Sequence, residues 1–131
     1  MQASIKTIIK LTTPDKPGIM ANVFADISAA GINVPAFTAW VQDCKGEFRL
    51  FADDTDNLIK VLSKAGHKPE TQDVIVINAE NKAGAAWAIG KKLGDAGVNI
   101  IRAFATSGSA GEGMVVVQTD DNEKALQALK S

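Results

Sequence analysis

Short β-branched runs alternate along the chain with segments whose apolar residues recur at helical spacing. Residues 5–11 and 73–77 are two such runs, so they are predicted to be strands. Each run is followed by a loop that ends in a glycine, Gly18 or Gly84, and then by a segment with apolar residues three or four positions apart. The pattern therefore predicts a strand followed by a helix at two places in the chain.

Two strands and a second helix follow each of these predicted helices. The first helices are expected to end at Gly31 and Gly97, because glycine adopts the left-handed C-terminal conformation at little cost. The remaining predicted strands cover residues 32–41, 47–52, 67–72, 98–106 and 113–119, and the second helices cover residues 55–65 and 122–130. The order of elements is β-α-β-β-α-β in the first copy, and the second copy lacks the last strand.

An internal repeat explains why the same order of elements occurs twice. Asp-Lys-Pro-Gly at residues 15–18 is matched by Asn-Lys-Ala-Gly at residues 81–84, which lie 66 positions later. Ala-Gly-Ile-Asn-Val at residues 30–34 is matched at the same spacing by Ala-Gly-Val-Asn-Ile at residues 96–100. A repeat of this kind indicates two copies of one structural unit.

The repeat divides the chain into two predicted domains, residues 1–72 and 73–131. Each is predicted to be an α+β, ferredoxin-like domain, in which two helices cover one face of an antiparallel sheet. Because the second copy lacks its last strand, its sheet either has three strands or has its edge covered by another segment.

The residues of the repeat resemble those of the ACT domain, a small regulatory module of amino-acid metabolism. The resemblance rests on Thr-Pro-Asp-Lys-Pro-Gly-Ile-Met at residues 13–20, on Arg-Leu before Asp53 and Asp54, and on the repeated Ala-Gly-Ile-Asn motif. It covers nearly the whole chain as a tandem pair. It implies a protein that binds a small ligand, usually an amino acid, where ACT domains meet, and that signals its occupancy to a partner.

The same resemblance implies that the ligand contacts come from the first strand-to-helix loop and the start of the second strand. A glycine at a helix start also lets a carboxylate approach backbone N–H groups that have no partner within the helix. Because Asp15 offers a carboxylate to an ammonium group and Asn81 does not, we expect tighter binding in the first copy. The candidate ligand-binding residues are Asp15, Lys16, Pro17, Gly18, Ile19, Met20 and Asn33 in the first copy, and Asn81, Gly84, Ala85, Ala86 and Asn99 in the second.

These candidate residues also have structural explanations. Asp15 and Asn81 are residue types that cap helices, and this explanation is as good as ligand contact. Asn33 and Asn99 follow a helix-ending glycine and could satisfy a turn, although their recurrence in both copies favours a binding role.

Other residues with reactive side chains predict no further chemistry. The aspartate pairs at residues 53–54 and 120–121 each precede a helix, where carboxylates complement the helix dipole. Cys44 and His67 have no companion at metal-ligand spacing, so neither a metal nor a cofactor is expected. Lys92 stands where a phosphate-binding loop requires serine or threonine, so that motif is excluded.

Composition and charge exclude several classes of protein. With 46% hydrophobic and 22% charged residues the chain is globular, and no apolar run approaches the roughly 18 residues of a membrane span. The 14 basic and 15 acidic residues form no basic stripe, and residues 45–51 lack the first aromatic residue that RNA-recognition modules use, so no nucleic-acid partner is expected. No signal-peptide pattern is present and there is one cysteine, so we expect a cytoplasmic protein.

These observations predict a regulatory protein without catalytic activity that binds an amino acid and acts on a metabolic enzyme or another regulator. The alternative is a structural module that oligomerises or docks to an enzyme without a ligand. An acylphosphatase-like enzyme ranks third, because neither glycine loop carries an arginine.

Two features of the second copy predict contact with a neighbouring chain or element. Val74 and Val76 are expected to point away from the helices, and an apolar sheet face of this kind predicts a homodimer or higher oligomer. Gly90 and Gly94 lie inside a predicted helix, where each costs about 1 kcal/mol relative to alanine. Since Gly90 stands where the first copy has Phe24, we expect another backbone to approach closely there; the alternative is a solvent-exposed helix face.

Overall fold

A computed structural model of the chain describes residues 1–108 and 111–130. Ser109 and Ala110, within the predicted connection at residues 107–112, and Ser131 lie outside the described residues. Over the described part, the chain is an α+β protein, as predicted, with four helices and with six strands instead of the seven predicted. The elements are β1 (Gln2–Pro14), α1 (Ile19–Ala29), β2 (Ala36–Gln42), β3 (Lys45–Phe51), α2 (Thr55–Lys64), β4 (Glu70–Glu80), α3 (Ala85–Asp95), β5 (Ile100–Ser107), β6 (Glu112–Thr119) and α4 (Asn122–Lys130).

The chain forms two compact units. The first unit is Thr7–Gln72, and the second unit is Asp73–Ser131 together with Met1–Lys6. This grouping differs from the predicted division at residues 72 and 73 only in residues 1–6. The division into two ACT-like domains, residues 1–72 and 73–131, stays a prediction.

The first unit has the strand order β2-β3-β1-β4. β3 is antiparallel to β1, with Leu11 opposite Phe48 and Ile9 opposite Leu50, and β2 is antiparallel to β3 on its other side. The alternation of side chains along a strand puts these four residues on one face of the sheet. Helices α1 and α2 pack on that face, and the core consists of Ile9, Leu11, Val23, Ile27, Phe48, Leu50, Ala52, Leu58 and Leu62.

The second unit has the strand order β1-β4-β6-β5. β6 is antiparallel to β4, with Ile77 opposite Val115 and Ile75 opposite Val117, and β5 is antiparallel to β6. Helices α3 and α4 contribute to a core that consists of Ile75, Ile77, Ile89, Leu93, Val98, Val117, Ala125 and Leu129. The two units therefore repeat the same strand register.

The start of β1 completes the sheet of the second unit. Residues 1–6 belong to this unit, and Ala3 and Ile5 pack against its core. The edge that the sequence analysis left open is therefore covered by β1. The rest of β1, from Thr7 onward, belongs to the first unit, so this one long strand contributes residues to both units.

Two predicted strands are one strand in the structure. Residues 67–72 and 73–77 were expected to be separate strands, but β4 runs without interruption from Glu70 to Glu80. Residues 70–80 contain no glycine or proline, so nothing in the local sequence breaks the extended backbone. β4 therefore contributes its first residues to the first unit and the rest to the second.

The valines from which a dimer was predicted are not exposed. Val74, Val76 and Val116 are 1%, 3% and 1% exposed, so they do not form an open apolar face. The edge beside β4 is also covered, as described above. The homodimer stays a prediction, and these residues do not support it.

Candidate ligand-binding site

The loops that precede α1 and α3 have the same backbone conformation. Gly18 and Gly84 are the N-cap residues of the two helices, with φ angles of 87° and 88°. This left-handed conformation strains a residue with a side chain, which explains a glycine at both positions. Neither helix has a side-chain cap, so Asp15 and Asn81 do not act as N-caps.

Asn33 and Asn99 lie where the second strand of each unit begins, and each is bonded to an aspartate. The Asn33 side-chain amide donates to Asp53 Oδ2 at 3.0 Å. In the second unit the backbone N–H of Asn99 donates to Asp120 Oδ1, also at 3.0 Å. The carbonyl of each asparagine also accepts from the backbone N–H of its aspartate, at 3.1 Å in both units. These bonds join the start of the second strand to the end of the third.

The structure does not bring the glycine loop and the asparagine of one unit together. Pro14, where the loop begins, lies opposite Lys45 at the start of β3. Asn33 is bonded to Asp53, which follows the other end of β3. A seven-residue strand is about 23 Å long, so the two groups of candidates lie at opposite ends of the first unit. The same arrangement holds for Asn81 and Asn99, so one unit alone does not form the predicted set of contacts.

The second aspartate of each pair caps a helix, as predicted. Asp54 Oδ1 accepts from the backbone N–H of Asn57 at 3.1 Å, at the start of α2. Asp121 Oδ1 accepts from the backbone N–H of Lys124 at 3.1 Å, at the start of α4. These carboxylates satisfy helix N–H groups that otherwise lack an acceptor.

A cavity of about 280 Å³ lies at the first turn of α3, within the second unit. Three of the predicted residues line it, namely Asn81, Ala85 and Ala86. The opposite wall comes from the C-terminal end of β5 and from β6. The further lining residues are Ala79, Glu80, Lys82, Ala105, Thr106, Ser107, Gly113 and Val115.

The walls of this cavity combine hydrogen-bonding groups with small apolar side chains. The backbone N–H group of Ala86 lies in the first helical turn, where a helix provides no acceptor of its own. Asn81 contributes an amide, and Ser107, which lies on the same face of β5 as Ala105, contributes a hydroxyl group that donates or accepts. The N-terminal end of the helix also carries a partial positive charge. The cavity therefore suits a small molecule with a carboxylate and a second polar group.

Thr106 and Ser107 were not among the residues predicted from the sequence. They lie opposite Met114 and Gly113 in the register of β5 with β6, which puts them beside the α3 loop. The corresponding residues of the first unit are Trp40 and Val41, opposite Glu47 and Gly46. Because neither hydroxyl recurs in the first copy, a search for repeated residues does not find them.

A second cavity of about 520 Å³ lies on another side of the same loop. Met1 and Trp87 line it and are 52% and 69% exposed, which is unusual for such large apolar side chains. Ala83, Ala85 and Ala88 provide most of the remaining apolar wall.

Among the described residues no backbone lies close to Gly90, in contrast to the expectation from the sequence. A Cβ atom built at Gly90 meets no heavy atom within 4 Å, and the same holds for Gly94. The space beside Gly90 is therefore open.

The segment compared with RNA-recognition modules is unsuited to base stacking. Phe48 is 1% exposed and belongs to the core of the first unit. Arg49 is also buried, with its guanidinium carbon 4.9 Å from the centre of the Trp40 ring and Nη1 donating to the carbonyl of Phe48 at 3.0 Å. These side chains are engaged within the protein.

The described residues contain neither a metal-binding cluster nor a membrane-spanning helix. Across residues 1–108 and 111–130, no three histidine, cysteine, aspartate or glutamate residues are grouped so as to hold a metal ion. Over the same ranges, no helix has the length and apolar character needed to cross a membrane.

Comparison with known proteins relates the fold to regulatory proteins. No protein-family model matches the chain, and no curated protein matches it. A crystal structure of a protein from Bacteroides thetaiotaomicron is 22% identical, with a TM-score of 0.89 over 98% of this chain and 88% of that one. The regulatory subunit of aspartate kinase from Thermus thermophilus is 19% identical, with a TM-score of 0.70 over 98% of this chain and 94% of that subunit. The fold is that of aspartate kinase regulatory subunits.

The corresponding subunit from Thermus flavus extends this likeness. It is 21% identical, with a TM-score of 0.64 over 99% of this chain and 95% of the subunit. Both of these Thermus subunits are regulatory subunits of aspartate kinase, and the chain spans nearly their whole length. At these identities the likeness concerns the fold.

Proposed function

We propose that the chain is a tandem pair of ACT-type, ferredoxin-like domains that binds an amino acid and signals its occupancy to a partner, without catalysis of its own. The observation that carries the proposal is the cavity of about 280 Å³ at the first turn of α3. It brings Asn81, Ala85 and Ala86 of the predicted strand-to-helix loop together with the hydroxyl group of Ser107. The fold of aspartate kinase regulatory subunits supports a metabolic enzyme as the partner.

The two polar ends of an amino acid match the two kinds of polar group in the cavity. The ligand carboxylate accepts from the N–H group of Ala86, where the helix dipole also favours a negative charge. The ligand ammonium group donates to the side-chain oxygens of Asn81 and Ser107. The exposed Lys82, which forms a 3.2 Å ion pair with Glu80, adds positive charge near the carboxylate.

This assignment reverses the expectation of tighter binding at Asp15. The α1 loop has Asp15 where the α3 loop has Asn81, but Val41 replaces the hydroxyl-bearing Ser107. Binding at residues 15–20, and at Asn33 and Asn99, stays a prediction. Because these groups lie at opposite ends of a unit, joint contacts require a second unit, and the predicted homodimer would supply one.

Titration calorimetry with each of the twenty L-amino acids tests the proposal. Asn81→Ala removes a hydrogen bond to a charged ligand group, so the dissociation constant should rise roughly tenfold to a hundredfold. Asp15→Ala is the matched control at the equivalent position of the first unit, and it should leave the affinity for the cavity unchanged. The proposal is wrong if Asp15→Ala abolishes binding while Asn81→Ala has no effect.

One observation favours the second candidate, a docking module that binds no ligand. Met1 and Trp87 form an exposed apolar patch beside the cavity of about 520 Å³, and such patches mark protein interfaces. This candidate predicts that no amino acid raises the melting temperature, while Trp87→Ala weakens self-association or enzyme binding in sedimentation velocity. The first candidate predicts a rise of the melting temperature with the bound amino acid.

A further inference from the structure

Equivalent positions of the two units can be compared residue by residue. Phe24 is the sixth residue of α1 and Gly90 is the sixth residue of α3, and both helices begin after a left-handed glycine. On the neighbouring strands, Phe37 lies opposite Leu50 of the core, and Ala103 lies opposite Val117 of the core. Phe24 therefore corresponds to Gly90, and Phe37 corresponds to Ala103.

In the first unit, two aromatic rings fill the space between the helix and the edge strand. The ring centres of Phe24 and Phe37 are 4.9 Å apart with an interplanar angle of 56°, and Phe24 packs against the core. In the second unit, Gly90 and Ala103 leave this space open, since a Cβ atom at Gly90 meets no heavy atom within 4 Å. The second unit has the equivalent helix and strand but neither of the two aromatic rings.

The open space adjoins the cavity at the first turn of α3. Ala86 and Ala105 line the cavity, and Gly90 and Ala103 are the next residues along the same faces of α3 and β5. One helical turn or two strand residues advance about 5–7 Å, which is the length of a phenylalanine or leucine side chain. We call Ala86, Gly90, Ala103 and Ala105 the side-chain groove.

We infer that the cavity binds amino acids with a large, uncharged apolar side chain, and that this side chain lies in the side-chain groove where the first unit has its own phenylalanine pair. The inference rests on the proposed function. The groove has no charged or hydrogen-bonding side chain, so a charged ligand side chain would lose its hydration without compensation. The rings of Phe24 and Phe37 show the kind of group that this space accepts.

Competition between L-phenylalanine and L-alanine in titration calorimetry tests the inference. Burial of the larger side chain should make L-phenylalanine bind roughly tenfold to a hundredfold more tightly than L-alanine. The double variant Gly90→Phe and Ala103→Phe restores the ring pair of the first unit. It should abolish the preference for L-phenylalanine while L-alanine still binds, and Ala103→Phe alone should reduce the preference.

Gly94→Phe is the matched control, because it adds the same side chain one turn further along α3 and also meets open space. It should keep the preference for L-phenylalanine, and circular dichroism should show that all three variants remain folded. The inference is overturned, with the proposed function intact, if an amino acid binds but L-phenylalanine has no advantage, or if the ring pair leaves the preference unchanged. Loss of self-association in the double variant without a change in binding would assign the groove to a second copy. If no amino acid binds, the proposed function and the inference are both wrong.

Discussion

The two units use the same backbone plan with side chains of different size. Phe48 lies in the core of the first unit, opposite Leu11 of β1. Val115 occupies the equivalent position in the second unit, opposite Ile77 of β4. At the equivalent place on the second helix, the first unit buries Leu58 and the second buries Ala125. The first unit fills its interior with its own side chains, whereas the second leaves room near α3.

This difference explains why similar loops lead to different sites. Both loops present the first turn of a helix after a left-handed glycine, so both offer unpaired N–H groups. Ile19 and Met20 follow Gly18, whereas Ala85 and Ala86 follow Gly84. The cavity at α3 therefore coincides with shorter side chains on a similar backbone, and under the proposed function this difference gives the second copy a ligand site.

The largest expected effect concerns the cores of the two units. Phe48→Ala removes a fully buried ring and should lower the free energy of unfolding by about 3–5 kcal/mol. Val115→Ala, at the equivalent half-buried position, removes two methyl groups and should cost about 1–2 kcal/mol. Urea denaturation of both variants measures the difference. Equal losses would show that the two units are filled alike and would contradict the comparison.

Much of the fold follows from local patterns in the sequence. The left-handed glycines at the starts of α1 and α3 and the capping role of Asp54 and Asp121 are determined by residues within one turn of the helix. The helix starts after Gly18 and Gly84 and the capping by the aspartate pairs were predicted, because the backbone and its nearest side chains decide them, whereas the left-handed conformation of the two glycines was first seen in the structure. Residues 1–6 could not be assigned to the second unit in this way, since strand pairing between distant segments leaves no local signal.

The candidate site was only partly predictable for a related reason. Asn81, Ala85 and Ala86 were predicted because the resemblance to ACT domains implies ligand contacts from the strand-to-helix loop, whereas Thr106 and Ser107 reach the cavity only through the pairing of β5 with β6. Gly90 was noticed as an unusual helix residue, but a glycine beside a close contact and a glycine beside open space look the same in a sequence. The structure distinguishes the two situations, and the space beside Gly90 is open.

A smaller effect measures the ring pair that distinguishes the first unit. Phe24 and Phe37 are in contact, so a double-mutant cycle with Phe24→Ala and Phe37→Ala should give a coupling energy of about 0.5–1.5 kcal/mol. The stability of each single variant and of the double variant is measured by chemical denaturation. Strictly additive losses of stability would mean that the two rings do not stabilise each other. The ring pair of the first unit would then be no evidence that the side-chain groove of the second unit accepts an aromatic side chain.

The smallest effect concerns the open helix position of the second unit. Gly90→Ala adds a methyl group in space where no heavy atom lies within 4 Å, and it reduces the conformational freedom of the unfolded chain. The variant should therefore raise the free energy of unfolding by about 0.5–1 kcal/mol. Gly84→Ala is the matched control, since its φ angle of 88° strains any residue with a side chain, and it should be destabilising. Thermal denaturation of both variants distinguishes the open position at Gly90 from the strained position at Gly84. A loss of stability in Gly90→Ala would mean that another backbone does approach α3 in the assembled protein.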